Sequence, residues 1–103
     1  MIRFYLREIT MFKVNEYFDG KVKSIAFTDN GEAATIGVMA DGDYEFGTSS
    51  IEHMTLISGK MSVILPGEND WREIAPNETF IVDAHVTFQV RVSGDTSYLC
   101  RYK

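Results

Sequence analysis

Apolar side chains recur at every second position along most of this chain, and that period of two restricts its fold more than any other feature. Val86, Phe88, Val90 and Val92 alternate with Thr87, Gln89 and Arg91, the pattern of a strand with one face buried. Met61, Val63 and Leu65 set against Lys60, Ser62 and Ile64 give a second, more buried strand. The same reading predicts strands at 22–27, 34–40, 44–48, 54–58, 71–74, 80–83 and 97–102. Helical periodicity is nearly absent, because the stretches that could carry it are broken by Gly or by β-branched runs.

Turn signals fall between these runs: Asp29-Asn30-Gly31, Asp41-Gly42-Asp43, Ser58-Gly59-Lys60, Pro66-Gly67-Glu68-Asn69-Asp70, Ala75-Pro76-Asn77 and Ser93-Gly94-Asp95. Strands at a spacing of about 8 to 12 residues with such punctuation point to an all-β sandwich or barrel. A small closed antiparallel β-barrel also disposes of the exposed edges that so many short strands would create. With 103 residues the chain makes a single domain, long enough to bury a core without disulfides or metal. Residues 1–10 read as an extension or an upstream alternative start, and the domain proper as 11–103, opening at a second methionine, Met11.

Charge narrows the partners. Ten Lys and Arg against fifteen Asp and Glu give a net charge of -5, which repels a phosphate polymer, so no nucleic acid is expected as partner. A small anion remains compatible, since one Arg in a pocket can hold phosphate whatever the overall charge. No apolar run approaches the ~20 residues that span a bilayer, and Arg3, Arg7 and Glu8 spoil the start as a signal peptide. Neither membrane association nor export is expected. The lone Cys100 excludes an intrachain disulfide and fits a reducing, cytoplasmic setting.

Few residues carry recognisable chemistry. Two histidines, His53 and His85, cannot build the three-His site of metal-holding small barrels, and they form no His-x-His pair, so no metal or other cofactor is expected. Cys100, mid-strand between Leu99 and Arg101, reads as a core thiol rather than a nucleophile. Arg101, among aromatic and aliphatic neighbours, needs a carboxylate or a bound anion; Glu52 and Glu45 are the carboxylates considered for it. Tyr44, Phe46 and Tyr98 are either core or a stacking surface for a flat ligand. His85 opens the strand beginning at Val86 and can be read as a proton donor near a barrel mouth.

Longer words in the sequence are more specific. Asn15-Glu16-Tyr17-Phe18-Asp19-Gly20-Lys21-Val22-Lys23-Ser24-Ile25, Gly42-x-Tyr44-x-Phe46, Glu52-x-Met54-Thr55-x-Ile57-Ser58-Gly59 and the ending Thr96-Ser97-Tyr98-Leu99-Cys100-Arg101-Tyr102 together resemble the small bacterial pyrimidine/purine nucleoside phosphorylases. The resemblance runs from about Met11 to Lys103. It implies a cupin-like β-barrel of antiparallel, jelly-roll type, commonly dimeric, that uses inorganic phosphate as co-substrate to cleave purine and pyrimidine nucleosides to free base and pentose 1-phosphate. Gly42, Glu52 and Gly59 keep part of the first cupin motif, with Tyr44 and Phe46 about where its two histidines would stand, and His85 remains from the second.

For that reaction Arg101 is the expected phosphate ligand by bidentate hydrogen bonding. Glu52 would orient the pentose hydroxyls or steady the developing positive charge. His85, or Tyr44 through its hydroxyl, would donate to the departing base, with Phe46 and Tyr98 stacked on it. The competing readings are a catalytically silent barrel that binds a nucleoside-like or sugar ligand, and a divalent-metal cupin enzyme. A chain this short has little room for a deep pocket, so a homodimer is expected.

Overall fold

The computed structural model describes residues 12–103 and shows a chain built almost entirely of antiparallel strands. The expectation for residues 1–10 lies outside the described residues. In chain order the strands are β1 (Val14–Tyr17), β2 (Val22–Asp29), β3 (Glu32–Met39), β4 (Gly42–Gly47), β5 (Glu52–Ile64), β6 (Arg72–Ile74), β7 (Thr79–Val82) and β8 (Thr87–Tyr102). A single 3-10 turn, Phe18–Gly20, joins β1 to β2.

The antiparallel pair β5 and β8 organises everything else. Along one edge β8 pairs with β4 through Thr87 to Val92 and with β3 through Thr96 to Arg101. The far edge of β5 takes β7 on its first half and β6 on its second. One half of the molecule is therefore β1-β2-β3 with the ends of β8, β5 and β7, and the other is β4 and β6 with the remaining lengths of β8 and β5. Val22 and Leu56 from the first half and Met61, Val63 and Val90 from the second are at most 2% exposed and belong to one core, so the halves pack face to face.

Two of the sequence expectations need correction here. Ser58-Gly59-Lys60 and Ser93-Gly94-Asp95 do not end strands: both lie inside the long β5 and β8. Gly59 (φ 98°) and Gly94 (φ 74°) sit in left-handed backbone, and the β5-β8 register shifts between Leu56 and Ser58 and again between Ser58 and Lys60. The turn signals are thus β-bulges that bend a continuous pair of strands. A Cβ at Gly59 would fall 2.5 Å from Thr96 Oγ1 and 2.8 Å from the Asp95 carbonyl oxygen, so glycine alone lets the strands cross this closely. The alternation also passed over β1, whose Val14, Glu16 and Tyr17 are exposed.

Candidate active site

Alternation along β8 decides which of its side chains enter the interior. Tyr98 and Cys100 are buried and Tyr102 half-buried on the inner face, while Leu99 and Arg101 face outward. The inner residues line a cavity of about 130 Å³ between the two halves. To it β5 adds Glu52 and Met54, β4 adds Phe46 and Gly47, and β3 adds Met39. Ser24 of β2, Tyr17 of β1 and Phe88 of β8 complete the wall.

Its chemistry is one carboxyl among hydroxyls and aromatic rings. Cys100 donates through Sγ to Glu52 Oε1 at 3.6 Å, within the longer range normal for sulfur. Burial pushes the Glu52 carboxyl above its ordinary range, and the Cys100 hydrogen bond pulls against that shift. Burial first, and the nearby Glu52 charge second, push the Cys100 thiol up to about 12. Burial likewise holds the Tyr98 hydroxyl at about 12 and raises Tyr102 above its usual value, so both phenols are protonated donors at neutral pH. The Tyr102 hydroxyl lies 3.1 Å from Thr35 Oγ1 on the neighbouring β3. Asn15 Nδ2 donates to Ser24 Oγ at 3.3 Å, which fixes that hydroxyl against β1.

Of the six residues singled out in the sequence, the cavity gathers Glu52, Phe46 and Tyr98. Phe46 packs on Phe88 with ring centroids 5.8 Å apart, giving the wall a continuous aromatic side. Arg101, expected at the phosphate, sits on the outer face instead. Its Nε donates to Asp29 Oδ2 at 2.8 Å, so its partner is neither Glu52 nor Glu45. The physical reason is parity: a residue one place from Cys100 in a strand points to the opposite side.

Tyr44 is buried beside the cavity without lining it, and its hydroxyl donates to the Ala40 carbonyl at 2.6 Å. Its ring instead supports Phe46, together with Phe18, whose centroid is 5.0 Å from Tyr44 and 5.5 Å from Phe46. His85 is exposed, in left-handed backbone at φ 62° in the turn between β7 and β8, and it too lies off the lining. That turn is held by Thr48, whose hydroxyl donates to the Asp83 carbonyl at 2.6 Å and accepts from the Val86 amide at 3.1 Å. His53 occupies the outer face opposite Arg101.

Cys100, Ser24 and Tyr102 were missed as site residues. Their signal was parity, since each shares a strand face with Tyr98 or Val22, both readable as inward. Tyr17 carried no such signal. Among the described residues no three His, Cys, Asp or Glu side chains converge as a metal-binding group. Nor is any described helix long and apolar enough to cross a membrane.

The sequence profile described as pyrimidine/purine nucleoside phosphorylase matches residues 12–102. The chain belongs to this family. Curated pyrimidine/purine nucleoside phosphorylases bear this out: one from Alcanivorax borkumensis is 60% identical over 92 residues, 89% of this chain and 98% of that protein. Another, from Pseudomonas aeruginosa, is 56% identical over 93 residues, 90% of this chain and all of its own length. Among solved structures, a Vibrio parahaemolyticus protein of unknown function superposes with a TM-score of 0.86 at 39% identity, covering 91% of this chain and 100% of that one. A cupin superfamily protein of Desulfitobacterium hafniense, 15% identical, shares the fold alone, with a TM-score of 0.65 over 85% of this chain and 82% of its own. This pyrimidine/purine nucleoside phosphorylase family member is therefore an enzyme on a cupin-like all-β scaffold.

Proposed function

We propose that the cavity binds the pentose of purine and pyrimidine nucleosides and that the enzyme cleaves them with inorganic phosphate to the free base and pentose 1-phosphate, ribose 1-phosphate from ribonucleosides. The observation that carries this reading is the single carboxyl, Glu52, set half-buried among the hydroxyls of Tyr98, Tyr102, Ser24 and Tyr17. Departure of the base leaves positive charge on the sugar, and an anion already fixed beside it in a partly dry site stabilises that charge without reorganising. A phosphate oxygen bonds to the anomeric carbon, the C–N bond electrons leave with the base nitrogen, and that nitrogen takes up a proton. Tyr98 and Tyr102, protonated and inside the cavity, replace His85 and Tyr44 as donors in this scheme. The aromatic side at Phe46 and Phe88 offers any base a π-face, which favours breadth over selectivity.

Arg101 has no place in the scheme, and among the described residues the lining holds no Lys or Arg. Phosphate is met there by neutral hydroxyl donors, and it shares with Glu52 the attraction to the sugar cation between them. The enzyme acts without a cofactor in the cytoplasm, as a homodimer whose second copy covers the outer sheet face. Supporting the dimer, Ile25 and Ile36 are Cα partners there, each 42% exposed, and Val38 of the same strand is 55% exposed. Light scattering on the wild type and on Ile36→Glu tests it: the wild type should run at twice the monomer mass and the variant at once. Residues 1–10 lie upstream of the family match, and a chain beginning at Met11 should keep both fold and turnover.

The deciding assay offers the purified protein uridine, then inosine, with and without phosphate, and follows free base and pentose 1-phosphate. Base and sugar phosphate should appear together and only when phosphate is present. Absence of release from both nucleosides by folded protein would overturn the reading.

A further inference from the structure

Glu52 lies at the start of β5 opposite Tyr102, and the next inward pair is Met54 with Cys100. The side-chain hydrogen bond its carboxyl accepts comes from the Cys100 thiol, which is itself only 2% exposed. From β8 the titratable groups facing Glu52 are Cys100, Tyr98 and Tyr102, and from β1 Tyr17; β3, β4 and β7 present Met39, Phe46 and Val82 there, none of them charged. Among the described residues, therefore, no cation balances the carboxylate across this site. We infer that Cys100 is a positioning residue, its thiol hydrogen bond holding the Glu52 carboxyl toward the cavity in the charged form. The kinetic consequence rests on the phosphorolysis reading; the hydrogen bond does not.

The direction of the effect follows from which protonation state the donor favours. A thiol proton aimed at a carboxyl oxygen stabilises the carboxylate, so it lowers the pH at which Glu52 ionises and opposes the cost of burial. For this the thiol must keep its proton, and burial ensures that. The same protonation argues against a nucleophilic role, since the thiolate is the reactive form. Serine at this position places a stronger donor in nearly the same volume, while alanine and valine remove it.

The full chain, labelled with 13C at its glutamate carboxyls, tests this by NMR titration, the Glu52 resonance being identified by its loss in Glu52→Gln. The midpoint in Cys100→Ala should lie above wild type by about half a pH unit or more, and in Cys100→Ser at or below it. An unchanged midpoint in Cys100→Ala overturns the inference; where that variant does not fold, Cys100→Val is read the same way. In parallel, the acid limb of kcat/KM for uridine phosphorolysis should rise in pH with the NMR midpoint and be restored by serine. A shifted midpoint in a protein whose wild type releases no base would instead sink phosphorolysis while leaving the Cys100 hydrogen bond in place.

Discussion

The ring of Tyr98 lies over Gly37 so closely that a Cβ built on the glycine would fall 2.5 Å from the phenol oxygen. The two residues are Cα partners on β8 and β3. Absence of a side chain on one strand is thus what lets the other strand's tyrosine lie down and face Ser24 and the cavity. Gly37→Ala should push the ring up into the cavity. Overpacking of this kind costs about 1–3 kcal/mol, so thermal denaturation should register a lower Tm, and KM for nucleoside should rise more than KM for phosphate. An alanine variant with wild-type Tm and KM would show that the ring has room to move.

Glu52→Gln separates activity from stability. Without the fixed negative charge the turnover of nucleoside should fall about 10²–10³-fold. The fold should respond in the opposite sense. Because the Glu52 carboxyl is raised in the folded state, its stabilising contribution is present at pH below its ordinary range and lost as pH rises through the folded value. At pH 8 the native state carries the cost of that charge and the glutamine variant does not. The variant should melt above wild type at pH 8, with the gap closing toward pH 4, as scanning calorimetry at the two pH values would reveal.

Arg101→Ala should leave KM for phosphate unchanged, since the guanidinium is bound to Asp29 on the outer face. The side chains of the pair are 38% and 26% exposed, so solvent screens much of the attraction and the loss of stability should be under about 1 kcal/mol. Initial rates across a phosphate series decide the matter, and a large rise in KM would return Arg101 to the site.

Alkaline pH should unfold the protein through the cavity wall. Tyr98 and Cys100 ordinarily lose their protons at 10.0 and 9.0, and burial lifts both to about 12. Each contributes stability that is complete below its ordinary value and lost as pH rises through the folded one. Denaturant midpoints should hold up to about pH 9 and then fall steadily toward pH 12. A Tyr98→Phe variant, which removes one of the two groups, should fall less steeply.

The strands were legible in the sequence wherever one face is buried and the other wet, as from Val86 to Val92, because burial leaves its period in the side chains. Exposed β1 left none. Gly59 and Gly94 carried a genuine signal of left-handed backbone, yet a turn and a bulge demand the same residue, and only the partner strand distinguishes them. For the site, residue type was a poorer guide than parity. Arg101 attracted attention by its charge, while its neighbours Cys100 and Tyr102, on the opposite face, are the ones that meet Glu52. Which strands would close around that face is set by the pairing of β5 with β8, a contact between segments far apart in the chain that no local pattern records.

The bends at Gly59 and Gly94 lie within strands that run unbroken from one half of the molecule to the other. Neither half can therefore swing away without tearing the β5-β8 ladder that both share. Denaturation should be a single cooperative event, with backbone amides of β5 and β8 exchanging last and together. The crevice is framed by this shared ladder, and the Glu52 carboxyl sits in that frame rather than on a moving part.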